Sequence, residues 1–201
     1  MPGFTRKIIL RTLIELMNEK PLSKITVKDI VERCGINRNT FYYHFRDIPD
    51  AVEEVVREEL EYIEANHHEP ESVRDCMDIL VNTLLRNKKA MLHLYSSVQR
   101  DVFAGYVDSA ATYVVKEYIA NAAGEINIPQ DDLILIERYY KCVFVGIILD
   151  WLRNNMEYDV LEDMKRLEKI YEMSLHMQYK QKEDKKSEES YIIKSGYEDQ
   201  L

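Results

Sequence analysis

The groups that could do chemistry in this chain are concentrated between Ile25 and Phe45, in ITVKDIVERCGINRNTFYYHF. Arg38, Asn39, Thr40, Tyr42, Tyr43 and His44 crowd one short segment with hydrogen-bonding side chains. Arg, Asn, Thr and Tyr are the residue types that reach phosphate oxygens and base edges. Phe41 and Phe45, four residues apart, supply a buried face for the same segment if it is helical. The chemistry implied is non-covalent recognition of nucleic acid. For catalysis the chain offers no nucleophile-elbow sequence, no phosphate loop and no His-Glu-x-x-His arrangement, so no enzyme is expected.

Positioning such side chains requires two short helices at a fixed angle, and the flanking residues supply them. Thr26 with Asp29 three positions on makes a capping-box start, the hydroxyl accepting from backbone N–H groups of the first turn. Val27, Ile30 and Val31 give that first helix an apolar face. Gly35 stands where the helix must end in a left-handed residue, which glycine tolerates at least cost. Ile36 is an apolar plug, and Asn37 can cap a second helix beginning at Arg38. Two short helices joined by a tight turn containing Gly form a helix-turn-helix, whose second helix enters the major groove of DNA. An ordinary polar surface helix would share the composition of Arg38 to His44 but would not require this cap, glycine and plug at this spacing.

The rest of the chain reads as helical. It has 201 residues, 46% hydrophobic and 31% charged, in the range of a soluble globular protein. Only 6 Gly and 5 Pro appear, which argues for long helices and against sandwiches and barrels. Pro2, Pro21, Pro49, Pro70 and Pro129 each fall near a helix boundary, and between them apolar residues recur every three to four positions. No stretch alternates with period two. The expected fold is all-α, with about nine helices. Beyond residue 70 these are Ser72 to Arg86, Lys88 to Val98, Asp101 to Ala123, Gln130 to Asn155 and Val160 to Gln178. Val143 to Leu152 is apolar on nearly every side, so it is expected to be buried in a core or against another subunit. Lys180 to Leu201 reads as a charged tail.

Cys34, Cys76 and Cys142 are too scattered for a zinc, redox or disulfide framework. The start of the chain lacks a signal peptide's apolar core, and the longest strongly apolar run, Cys142 to Leu149, has 8 residues. That is well below the roughly 18 that suggest a membrane span. A cytoplasmic protein without membrane contact is the expectation.

Residues Thr5 to about Asn66 closely resemble the amino-terminal DNA-binding domain of the TetR family of bacterial transcriptional regulators. The resemblance rests on the first helix, Arg6 to Asn18, on Ile25-Thr26-Val27-x-x-Ile30, and on Cys34 through Phe45 with its Thr-Phe-Tyr-x-x-Phe core. A fourth helix started by Asp47 completes it. The remainder resembles the family in architecture, with an apolar penultimate helix carrying Gly146 and Trp151-Leu152. The resemblance implies a helix-turn-helix domain at 1–47, a connecting helix at 47–66, and an effector-binding and dimerisation domain at 48–179. It implies double-stranded operator DNA as partner, with Arg38, Asn39, Thr40 and Tyr43 on base edges. Tyr42, His44 and Thr26 would sit on phosphates, and Lys28, Asn37 and Arg46 complete the DNA-binding set. It further implies a homodimer joined by the last two helices through Val143, Gly146, Ile147, Asp150, Trp151, Met164, Leu167 and Tyr171. A small-molecule effector would release a repressor from DNA. No cofactor is expected.

One departure stands out: the family usually opens its fourth helix with Lys, where this chain has Ile48 followed by Pro49. Arg46 is the candidate substitute anchor. The wording Arg46-Asp47-Ile48-x-Asp50 resembles the subgroup that includes dihydroxyacetone-kinase activators, some of which work with a protein co-regulator. An activator or co-regulator of the same fold is therefore the alternative reading.

Net charge, −9 for the whole chain, argues against nucleic acid until it is divided. Residues 1–46 hold nine basic against four acidic side chains, +5, which leaves −14 for the rest. A basic head on an acidic body suits DNA binding at one end, because screening confines the body's repulsion to about 10 Å. Candidate effector-pocket residues in the body are Met91, His93, Tyr95, Phe103, Tyr106, Tyr113, Tyr139 and Cys142, with Leu94, Tyr140 and Phe144 as further aromatic or apolar neighbours. Each also suits a plain core. His67-His68-Glu69, before Pro70, could be imagined as a metal site, but cations are favoured at a helix C-terminus anyway and no metal is expected.

Overall fold

Apolar residues at helical spacing organise the chain, as the computed structural model shows for residues 2–66, 70–123 and 128–171. By its internal contacts the chain divides into two units, Met1–Val160 and Leu161–Leu201. Within the first unit eight α-helices are described: α1 (Pro2–Glu19), α2 (Val27–Cys34), α3 (Arg38–His44), α4 (Ile48–Asn66), α5 (Val73–Arg86), α6 (Lys88–Tyr95), α7 (Arg100–Ala123) and α8 (Gln130–Arg153). A 3-10 turn, Leu22–Lys24, links α1 to α2. The backbone is helical again over 160–171. No strand occurs among the described residues, in agreement with the all-α expectation. The tail, His67 to Glu69, His176 and the end of the last expected helix lie outside them.

Helix α1 buries Ile9, Leu10, Leu13, Leu16 and Met17 along one stripe. That stripe serves two domains at once, since α1 packs against α2 and α4 on the head side and against α6 on the body side. Helix α7 forms the centre of the body: Phe103, Tyr106, Val107, Ala110, Ala111, Val114 and Val115 are all buried, at the three-and-four spacing of one broad face. It packs against α4, α5, α6 and α8. Cys76 of α5 is fully buried against it, with Sγ 3.5 Å from the Val114 carbonyl oxygen. Burial pushes this thiol up to about 12, so it behaves as a small apolar residue and not as a nucleophile.

The apolar segment expected to be buried all round is buried on one side only within the chain. Phe144, Ile148, Trp151 and Leu152 of α8 face inward, whereas Cys142 and Gly146 are exposed and Val143 and Ile147 half-buried. After α8 the chain turns through Asn155 and Met156, both with φ above 50°. The Trp151 indole N–H donates to the Tyr158 carbonyl at 2.8 Å, and Lys88 Nζ donates to the Met156 carbonyl at 2.7 Å, pinning this turn to the start of α6. In the second unit, ion pairs Glu162–Lys165 and Asp163–Arg166 line the helix, and Leu167, Ile170 and Tyr171 are exposed.

Candidate nucleic-acid interface

The head is held by bonds that the sequence spacing anticipates. At the start of α2, Thr26 Oγ1 accepts from the Asp29 backbone N–H at 3.2 Å, while the Asp29 carboxylate accepts from the Thr26 N–H and hydroxyl at 2.8 and 2.7 Å. Lys20 Nζ, 3.0 Å away, adds a charge to the same carboxylate. These bonds, the Thr26 hydroxyl's foremost, hold the Asp29 carboxyl down from its ordinary 3.8 to about 2. Gly35 ends α2 at φ 67°, in the left-handed region, and the Ile36 N–H reaches back to the Val31 carbonyl at 3.0 Å. A Cβ built at Gly35 would meet nothing within 4 Å, so the backbone angle and not crowding selects glycine here.

Asn37 then caps α3. Its Oδ1 accepts from the Thr40 N–H at 2.9 Å and the Thr40 hydroxyl at 3.1 Å. Phe41 is fully buried and Phe45 nearly so, their ring centroids 5.8 Å apart, which seats the helix on the head core. Opposite that seat, Arg38, Asn39, Tyr42 and Tyr43 are exposed, Tyr43 to 77%. His44 is half-buried with its ring edge-on to Tyr43, centroids 5.0 Å apart.

Not every candidate contact is equally free. Asn37 Oδ1 and the Thr40 hydroxyl proton are spent on the cap, which leaves Thr40 able to accept but not to donate. Lys28 is exposed but lies 3.6 Å from Glu32. Arg46 is 81% exposed, yet its guanidinium sits 3.0 Å from Asp50 Oδ1, and its backbone N–H donates to the same carboxylate at 2.9 Å. Arg33 is engaged twice by Glu19, at 2.6 and 2.9 Å, tying α2 to α1. Arg6 pairs with Glu54 and Glu58, tying α1 to α4. Three of the head's nine basic side chains, Arg6, Lys20 and Arg33, thus tie one helix to another. Arg38 has no carboxylate partner among the described residues, which leaves it the most available cation on α3.

The residues named for an effector pocket are scattered. Met91, Tyr95, Phe103 and Tyr106 are buried in the body, with the Phe103 ring stacked on Tyr106 at 5.8 Å and edge-on to Tyr95 at 6.4 Å. Tyr113, half-buried, donates its hydroxyl to the Glu64 carbonyl at 3.1 Å. Tyr139 and Cys142 lie on the exposed side of α8. His93 is elsewhere again: its Nδ1 lies 2.6 Å from the Met17 carbonyl oxygen, at the junction of head and body. Beside it Asn18 accepts from the Ala90 N–H at 3.0 Å and donates to Asn87 at 3.3 Å. Of the residues named for dimer contact, Trp151 is buried in its own protomer, whereas Gly146, Asp150, Leu167 and Tyr171 are exposed.

Sequence reasoning named His93 as a candidate pocket residue of the body but missed Asn18, Asn87 and the junction they form. Asn18, Asn87 and His93 carry no local pattern that distinguishes them from surface residues, because their partners lie 69 to 76 positions away. A second tie lies deeper in the body, where Arg86 pairs with Glu59 at 2.7 Å and covers the Tyr62 ring at 3.9 Å. Burial raises the Glu59 carboxyl above its ordinary value despite that cation. Among the described residues no cluster of three or more His, Cys, Asp or Glu could hold a metal, and no helix is long and apolar enough to cross a membrane.

With that geometry in view, comparison with known proteins gives a consistent result. The family described as "Bacterial regulatory proteins, tetR family" matches residues 9–55, and that described as "Transcriptional regulator C-terminal region" matches residues 71–173. The chain belongs to the TetR family of transcriptional regulators. It is 33% identical over 101 residues to an uncharacterized HTH-type transcriptional regulator, YvdT, of Bacillus subtilis (strain 168). That match takes in 46% of this chain and 52% of the relative, so the chain spans about half the length of the curated relative it matches. Two solved structures share the fold. The dihydroxyacetone kinase operon activator DhaS superposes with a TM-score of 0.67 at 17% identity, covering 86% of this chain and 95% of that one. A TetR transcriptional regulator from Rhodococcus sp. RHA1 gives 0.53 at 22% identity, covering 83% and 94%.

Proposed function

We propose that this protein is a cytoplasmic, homodimeric regulator that binds double-stranded operator DNA through α3 and is released as a repressor when a small molecule binds. The observation that carries the reading is the pairing of a Phe41–Phe45 seat with an opposite face of exposed Arg38, Asn39, Tyr42 and Tyr43. In this reading residues 1–47 are the DNA-binding domain, 47–66 the connecting helix, 48–179 the regulatory and dimerisation domain, and 180–201 a charged tail. Arg38, Asn39, Thr40 and Tyr43 read base edges, and Thr26, Lys28, Asn37, Tyr42, His44 and Arg46 contact or support contact with the backbone. Two recognition helices must lie about 34–36 Å apart to reach successive major grooves, so a small rotation of α4 suffices to break register.

Dimerisation is assigned to the exposed side of α8, where Leu135, Tyr139, Cys142 and Gly146 recur at four-three-four spacing with Val143 and Ile147 beside them. Leu167 and Tyr171 of the second unit are proposed for the same role.

A gel shift against the chain's own upstream region tests the reading. Tyr43→Ala should weaken specific binding by about 1–3 kcal/mol while thermal stability stays within about 0.5 kcal/mol, because the side chain is exposed. Unchanged affinity for both Tyr43→Ala and Arg38→Ala would remove α3 from the interface.

A second reading, an activator or co-regulator acting through a protein partner, is favoured by one feature. The position where the family carries a lysine is Ile48, and Arg46 is held by Asp50. The solved neighbour DhaS is itself called an operon activator. Salt dependence separates the two, since several phosphate contacts per dimer demand a steep negative slope of affinity against salt. A shallow slope, or binding only with a partner present, favours the second reading.

A further inference from the structure

A cleft of about 470 Å³ opens where head and body meet. Its head-side wall is the link between α1 and α2, with Pro21, Leu22 and Ile25, together with Ile48 and Pro49 of the first turn of α4. Its body-side wall is the end of α6 and the turn into α7, with His93, Ser96, Val98 and Gln99. The volume falls in the range of about 300–1,000 Å³ typical of small-molecule sites. Eleven residues line it, against the roughly 20–30 a side of a stable protein interface, so its dimensions suit a small ligand and not a partner protein.

Both walls are preformed. The Lys24 and Ile25 N–H groups bond back to Pro21 and Leu22 at 2.9 and 3.0 Å, and two prolines stiffen the same side. Across the cleft, Ser97 Oγ donates to the Leu94 carbonyl at 2.7 Å and accepts from the Gln99 N–H at 3.0 Å, fixing the turn. A ligand entering here orders little of the protein, which leaves more of its contact energy as affinity. Val98 at the rim is 94% exposed, an apolar side chain with none of the described residues over it.

The lining also specifies chemistry. Among the described residues no Lys, Arg, Asp or Glu lines it, so an ionic ligand would be desolvated without compensation. The Met17 carbonyl can only accept, so the 2.6 Å contact makes His93 Nδ1 the donor and leaves Nε2 of the neutral ring an acceptor. Ser96, the residue just past the end of α6, adds a hydroxyl to the same wall.

We infer that this junction cleft is a binding site for an uncharged, mainly apolar ring compound bearing a hydroxyl group, which donates to His93 Nε2. The regulatory consequence rests on the proposed DNA-binding reading. Ile48 and Pro49 stand four and five residues beyond the end of α3, and the ligand touches them and the body together. Its affinity therefore depends on the angle between α4 and the body, and by linkage its binding alters that angle.

The test uses 2-naphthol as probe, 2-naphthoate as charged control, and the full ¹⁵N-labelled chain. 2-Naphthol should shift amide signals within residues 21–25, 48–49 and 93–99, and 2-naphthoate should bind at least tenfold more weakly. Ser96→Trp, at an exposed position, should keep the wild-type circular dichroism spectrum and lose at least tenfold in 2-naphthol affinity. His93→Phe should weaken 2-naphthol binding severalfold without strengthening that of 2-naphthoate. Shifts centred elsewhere, equal binding of the anion, or a Ser96→Trp variant that still binds overturns the site. Saturating 2-naphthol should weaken operator binding by at least threefold in the wild type and not in Ser96→Trp. Unchanged operator affinity on saturation overturns the coupling. A chain that binds the probe as described but never binds operator leaves the site standing and removes the DNA-binding reading instead.

Discussion

Helices α3 and α8 each keep one side in their own core and leave the other uncovered, and the uncovered sides differ in kind. On α3 the open side carries Arg38, Asn39, Tyr42 and Tyr43, hydrogen-bonding groups above a Phe41–Phe45 seat. On α8 it carries Leu135, Tyr139, Cys142 and Gly146, with Tyr139 62% exposed. A polar uncovered face stays soluble alone and asks for a hydrated, charged partner. An apolar one at heptad-like spacing asks for another helix. The head is accordingly read as the DNA-facing end and α8 as the self-association face, and the two can be attacked independently.

The largest effect belongs to the seat of α3. Phe41→Ala removes a fully buried ring and should cost about 3–5 kcal/mol, seen as a lowered denaturation midpoint. Operator binding should then fall through unfolding of the head, with self-association unaffected. On the other side of the comparison, Gly146→Arg should give monomers in sedimentation. A Cβ there meets nothing within the protomer, so the fold should persist. Loss of the second head should reduce operator affinity on the order of a hundredfold. A Gly146→Arg protein that remains dimeric would move the interface away from α8.

Smaller changes sharpen how α3 is aimed. Gly35→Ala places a side chain at φ 67° and should cost about 1–2 kcal/mol, with Gly35→Asn less damaging because Asn tolerates the left-handed region better. Equal losses for the two variants would point to crowding instead of backbone angle. The smallest effect is one of pH. Asp29 is depressed from 3.8 to about 2, so its stabilisation of the capping box is fully present above 3.8 and is lost as pH falls through about 2. Denaturation midpoints followed from pH 5 to 2 should decline less steeply in this window for Asp29→Asn than for the wild type.

The helix-turn-helix was legible in the sequence because its determinants are local. Thr26 meets Asp29, Gly35 closes on Val31, and Asn37 caps Thr40, all within five residues, so spacing alone predicts the bonds observed. The position of α3 and its two-sided character follow directly. What spacing could not tell is which cations are held by carboxylates far along the chain: Arg33 meets Glu19, and Arg6 meets Glu54 and Glu58, only once the helices pack. The α8 segment shows the converse difficulty. Its residues are apolar nearly all round, and that composition is equally consistent with a fully buried helix and with one packed on a single side.

By itself the sequence determined an all-helical chain, the caps and turn of the head, and a basic segment of +5 joined to an acidic remainder. Those are properties of neighbours along the chain or of sums over it. Only the tertiary structure decided that His93 bonds Met17, that Trp151 is enclosed by its own protomer, and that the link between α1 and α2, the first turn of α4 and the end of α6 line one cleft. Each of these depends on surfaces brought together by long-range helix packing, where a Leu, Val or His of identical local context is buried, paired or left open according to what arrives opposite it.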